Sequence, residues 1–143
     1  MANDDLVNLL YYTDKDPLSQ PHLSDEEKKE EIFEELIKVI PFVPDRNDSR
    51  STVAIAVTNG SKFDSNTEYR RIKLCVSIRV PLSSWMIKNT NLRPFLILGE
   101  IQKALEGKKI NGIGKLTGGD FYLQSLTPEA GIYQQDYWIV TLE

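Results

Sequence analysis

The chain contains one histidine, His22, and one cysteine, Cys75. A thiolate–imidazole pair needs the two within hydrogen-bond reach. Cys75 falls in a run that alternates like a strand, and His22 sits in a Pro-flanked linker. They read as a small sheet-face residue and an exposed loop residue. A structural zinc site takes a full set of Cys and His ligands, and this chain has one of each. No acidic loop with calcium-binding spacing occurs either.

Two further patterns invite a chemical reading. Asn111-Gly112-Ile113-Gly114-Lys115-Leu116-Thr117-Gly118-Gly119 has the glycines and lysine of a phosphate-binding loop. That loop has a longer gap before its Gly-Lys pair, then Ser or Thr, and it opens a helix. Here Leu116 follows Lys115 and a strand-like stretch comes next, so the segment reads as a flexible connector. Carboxylate pairs such as Glu34 and Glu35 sit on a helix face rich in like charge and read as a solvated surface. The sequence therefore predicts no catalytic residue, no metal ligand and no cofactor site. Its function is expected to be the binding of other proteins rather than catalysis.

The chain's bulk properties agree with that expectation. Its 143 residues are the size of one domain, 41% hydrophobic and 27% charged, with a net charge of −4. The acidic balance disfavours sequence-independent nucleic-acid binding, which relies on a basic face. A lone cysteine excludes an internal disulfide. The acidic start Met1-Ala2-Asn3-Asp4-Asp5 does not look like a signal peptide, and no apolar run reaches the roughly 18 residues of a membrane span. Folding in a reducing cytoplasm is expected, with the sequons at Asn47 and Asn59 as chance matches marking surface turns.

Hydrophobic period and punctuation define the elements. Asp4 to Tyr12 predicts a short helix with Leu6, Val7, Leu10 and Tyr11 on one side. Residues 1–23 then read as an N-terminal extension, and 24–143 as a single α+β domain. Ser24 and Glu27 have capping-box spacing. Ile32, Phe33, Leu36, Ile37 and Ile40 form a helical stripe that Pro41 ends. Val53, Ile55 and Val57 alternate as a strand, Asn59 to Glu68 reads as a polar connector, and Tyr69 to Val80 is the clearest strand. In it Ile72, Leu74, Val76, Ile78 and Val80 face the core, while Arg71, Lys73, Cys75, Ser77 and Arg79 face water. Pro94 opens a second major helix carrying Phe95, Leu98, Ile101 and Leu105, and Gly107 closes it. Lys108 to Gly119 reads as loop. Strands follow from Phe121 and over Tyr137 to Leu142. The predicted fold is α+β, a four-stranded or slightly larger antiparallel sheet with helices on one face.

Candidate contact residues come from the loops and the last hairpin. The Asn59–Glu68 segment supplies Asn59, Gly60, Ser61, Lys62, Phe63 and Asp64, with Phe63 as an apolar anchor that orders on docking. Lys115 lies in the other loop. Tyr122, Tyr133, Tyr137 and Trp138 can pack in the core or, if outward, anchor an interface, and Tyr137 is included as a contact candidate. The closing Asp136–Glu143 strand is expected to offer a free edge. The row Arg71, Lys73 and Arg79 reads as a solvated strand face that discourages unwanted pairing.

The layout resembles the tail-terminator, or tail-completion, proteins of long-tailed bacteriophages. The resemblance rests on the helix ending at Ile40-Pro41, Thr52-Val53-Ala54-Ile55-Ala56-Val57 and the long polar segment after it. It continues with Ile72 to Val80, the Arg93-Pro94-Phe95 helix, Asp120-Phe121-Tyr122-Leu123 and Tyr137-Trp138-Ile139-Val140. The opening Leu9-Leu10-Tyr11-Tyr12-Thr13 with Asp16-Pro17-Leu18 is similar to small neck proteins of phages of Gram-positive hosts. The extension up to Leu23 is longer than in a minimal terminator. The resemblance implies an α+β sandwich whose copies close the tail tube as a six-membered ring. Its partners would be itself, the tail tube protein and the head-side connector or stopper protein. DNA would only pass through the ring lumen, no membrane would be involved, and the location would be the virion tail–neck junction. The alternatives are a head-completion or stopper protein, a chaperone or immunity-type partner protein, and a small ligand-binding or enzymatic domain.

Overall fold

The structure is a computed structural model that describes residues 3–39, 49–63, 66–88, 91–110 and 114–142, with backbone alone at 58–63, 66–70, 110 and 140–142. Helix α1 (Asp4–Tyr11) begins where Asn3 accepts the Leu6 N–H at 3.0 Å, and Asp4 and Asp5 face its positive end. It buries Leu6, Val7, Leu9 and Leu10 completely or nearly so. The capping box starts α2 (Asp25–Glu27). Ser24 Oγ accepts the Glu27 N–H at 3.2 Å, and Glu27 Oε2 accepts the Ser24 N–H at 2.9 Å.

The helix expected to run to Ile40 is shorter. It widens into a π-helical turn over Lys28–Phe33 and ends there, and strand β1 (Ile37–Lys38) follows. The Leu36 carbonyl accepts the Val53 N–H at 2.7 Å instead of continuing the helix. The turn still delivers Ile32 and Leu36 to the core at 0% exposure, while Phe33 is left partly exposed. Ile40 and Pro41 lie outside the described residues.

The sheet contains β1, β2 (Thr52–Phe63), β3 (Asn66–Pro81), β4 (Lys109–Ile110), β5 (Gly114–Leu126) and β6 (Ala130–Leu142), in the order β1-β2-β3-β6-β5-β4. Pairing is antiparallel throughout except for the short parallel contact of β1 with β2. Helices pack on one face, so the α+β expectation holds. Helix α3 (Arg93–Leu105) has Pro94 in its first turn and ends before Gly107, whose φ of +74° suits glycine. With α1 it covers Val53, Val76, Ile78, Val80, Tyr137 and Ile139.

Three expected loops and edges are different. The Asn59–Glu68 connector is hairpin. β2 runs to Phe63 and β3 starts at Asn66, with a bulge between Val57 and Asn59. Asn59 and Gly60 suggest a turn locally, but a bulge accepts small residues within a paired strand. The Lys108–Gly119 connector is mostly β4 and β5, because β6 offers its glycines a strand to pair with. The Asp136–Glu143 strand is no edge, since β6 lies between β3 and β5.

Candidate interaction surface

The helix-free face of the sheet carries a polar network. Lys73 Nζ lies 3.1 Å from Asp136 Oδ2, Cys75 Sγ donates to Asp136 Oδ1 at 3.3 Å, and Gln134 Nε2 donates to the same oxygen at 3.1 Å. Burial works against ionisation of Asp136. The hydrogen bonds from Gln134, Lys73 and Cys75, with the Lys73 charge, outweigh it and hold the carboxyl below its ordinary value. Beside this group the Arg71 guanidinium lies 3.6 Å from the Trp138 ring centroid. This face was expected to be wet, but Cys75 and Arg79 are 5% and 7% exposed. β3 is an interior strand flanked by β2 and β6, which a period-two pattern along β3 alone does not register.

His22 is not near this chemistry by partnership. Its Nδ1 lies 3.5 Å from Asp4 Oδ2, at a cleft of about 550 Å³ between the start of α1 and α3. Two of the cleft's carboxylates are paired: Lys28 holds Asp4, and Lys103 lies 3.1 Å from Glu100. Among the described residues no three His, Cys, Asp or Glu side chains are grouped as metal ligands. No helix among them is long and apolar enough to cross a membrane.

The features that stand out are the sheet's margins. β4 covers β5 only at Gly114 and Lys115, and Glu106 Oε2 accepts the Gly118 N–H at 2.6 Å. From Phe121 to Leu126 no described strand pairs with the outer side of β5. β1 covers β2 only at Val53 and Ala54, so among the described residues β2 has no outer partner from Ile55 onward. Exposed apolar side chains gather on β5, and one lies on β2. Phe121, Leu123 and Leu126 are 53%, 46% and 61% exposed on β5, and Val57 is 67% exposed on β2. Phe95 of α3 extends the first patch, 6.3 Å from Phe121 and 5.5 Å from Tyr133 between ring centroids. Val57 was expected in the core, and Phe95 on the helical stripe with Leu98 and Ile101. Phe95 lies in the first turn of α3 and Val57 beside the β2 bulge, and both are exposed at the rim.

The sequence-derived contact residues scatter over this surface. Asn59, Gly60, Ser61, Lys62 and Phe63 are in the far half of β2, and Asp64 lies outside the described residues. Lys115 is exposed at the start of β5, opposite Lys109. Tyr137 takes the core alternative, fully buried, with its hydroxyl unpartnered. The structure does not bring these residues together. What the sequence reading missed is the β5 margin, signalled only by Phe121, Tyr122 and Leu123 in succession, a pattern with no single buried face.

Comparison with known sequences places the chain. It belongs to the YomW family, a phage-derived family known from SPbeta-like prophages of Bacillus, whose profile matches residues 3–130. The match spans α1 to β5 and the first residue of β6, and so includes both margins. No curated protein matches the chain.

Proposed function

We propose that this member of the YomW family is a virion structural protein of the tail–neck junction. It closes the tail tube as a ring and joins it to the head-side connector by protein–protein contact. The observation that carries this reading is a pair of sheet margins without an outer strand among the described residues, with Phe121, Leu123 and Leu126 exposed on one and Val57 on the other, on a chain of a phage-derived family. A monomer with such margins gains by covering them. The side-chain groups of the polar face are bonded to one another, which suits a scaffold better than a reactive centre. The far end of β2, Asn59 to Phe63, is the docking element toward the tube, and Lys115 lies at the start of β5. Catalysis and cofactors have no part in this role.

Deleting the gene from an inducible phage and imaging the particles by electron microscopy tests the reading. The expected result is filled heads beside unattached tails of irregular length, restored by the gene in trans. Complete tails beside heads that have lost their DNA would assign the chain to head completion instead. Intact infectious particles would sink both structural roles.

A further inference from the structure

The long strands β2, β3, β6 and β5 alternate in direction, so the two strands at the margins run oppositely. Placed beside β5 of one copy, β2 of a second copy in the same orientation is antiparallel to it. The helices of both copies then lie on the same side. The contact continues the sheet without turning either subunit over.

The side chains fit this continuation. Val57 pairs with Leu74, while Phe121 and Leu123 pair with Gln135 and Tyr133, and all of these face the helix side. Joined edge to edge, the two apolar margins meet as cross-strand neighbours on that one face. Residues 51–61 contain no charged residue, and 116–126 contain only Asp120. Natural edge strands are commonly blocked by Lys, Glu or Pro. Here Lys62 on β2 and Lys115 and Asp120 on β5 are the charges of the two edge strands, while the interior strand β3 carries Arg70, Arg71, Lys73 and Arg79.

From these relations we infer that the partner of the β5 margin is the β2 margin of another copy of this chain, in a head-to-tail sheet that runs through successive subunits. Such a heterologous contact closes into a ring if its rotation closes. Self-pairing of β5 would leave the β2 margin of each copy uncovered, whereas the head-to-tail contact covers both. The inference deepens the ring reading above and rests on it for the closed form alone, because the pairing is a property of the purified chain.

Cysteine cross-linking of the full-length protein tests it. Val57→Cys combined with Phe121→Cys, and Val57→Cys combined with Leu123→Cys, are oxidised at increasing protein concentration. Native Cys75 is buried and serves as the background. At least one double variant should give a covalent ladder of dimer, trimer and higher species, while each single variant stays monomeric on a denaturing gel. Leu123→Lys, which places a charge among the apolar contacts on the helix side of the β5 margin, should stay folded by circular dichroism and move the light-scattering mass to the monomer. Dimers from Phe121→Cys or Leu123→Cys alone would show β5 meeting β5 and overturn the pairing. Folded double variants without a ladder up to the solubility limit would overturn it too, as would a folded Leu123→Lys protein that assembles like the wild type. A ladder together with intact particles after gene deletion would retain the pairing and remove the neck role.

Discussion

The Arg93 guanidinium donates to the carbonyl oxygen of Leu9 at 2.6 Å, tying the first residue of α3 to α1 across 84 positions of sequence. The same side chain reaches the carbonyl oxygens of Tyr12, Asp14 and Ser84 at 2.7, 2.8 and 2.7 Å. Burial pushes Arg93 down to about 10, so it remains charged at neutral pH. A planar fork of five donors is what four carbonyls from two segments require.

Arg93→Ala should therefore destabilise the fold by about 3–5 kcal/mol in urea unfolding, because buried carbonyls lose a charged donor. Arg93→Lys should recover little, since an ammonium cannot reproduce the fork. A loss below about 1 kcal/mol for the alanine variant would show that water replaces these bonds without cost.

Tyr137 is fully buried with its hydroxyl unpartnered, and burial together with Glu106 pushes the phenol up to about 12. Tyr137→Phe removes the orphaned group and keeps the ring. Its thermal stability should equal or exceed the wild type by up to about 1 kcal/mol, whereas Tyr137→Ala should lose about 3–5 kcal/mol. A destabilised phenylalanine variant would reveal a hydrogen bond to bound water.

Asp136 sets an acid-side dependence. Its folded pKa lies below the ordinary 3.8, so the native state favours the carboxylate. That contribution is full at neutral pH and disappears as pH falls below 3.8 through the folded value. Asp136→Asn should flatten the acid limb of a stability-against-pH curve measured by denaturant unfolding. An unchanged slope would place the dependence on other carboxylates.

The β2 bulge separates core from rim. Ile78→Ala, at 0% exposure, should cost about 2–5 kcal/mol, while Val57→Ala, at 67%, should stay within about 0.5 kcal/mol. Equal losses at the two sites, measured at a concentration where the protein is monomeric, would mean that Val57 is covered within its own subunit.

Deleting Ser61 to Asn66 shortens the hairpin end. The shortened protein should fold with a near wild-type circular dichroism spectrum and fail to join tails to heads in a reconstitution assay. Normal joining would remove the docking role assigned to Phe63 and its neighbours.

The sequence by itself determined what depends on a few neighbouring residues. Ser24 and Glu27 start α2, Pro94 and Gly107 bound α3, and the alternation from Ile72 to Val80 selects the helix-facing side of β3, because caps and periodicity act within a turn or a strand. It also carried the absence of charge on 51–61, although nothing local says that this strand lies at a margin. Tertiary structure alone decided the rest. Gly118 and Gly119 lie in a strand because β6 pairs with it, the helix after Ser24 stops at Phe33 because the Leu36 carbonyl meets Val53, and β6 is interior because β3 and β5 flank it. Cys75 and Arg79 are buried on a strand that β2 and β6 flank, and Phe95 is left at the rim with Phe121. Each outcome depends on a backbone or side-chain partner many residues distant, and strand pairing overrides the weak local preference of glycine and small polar residues.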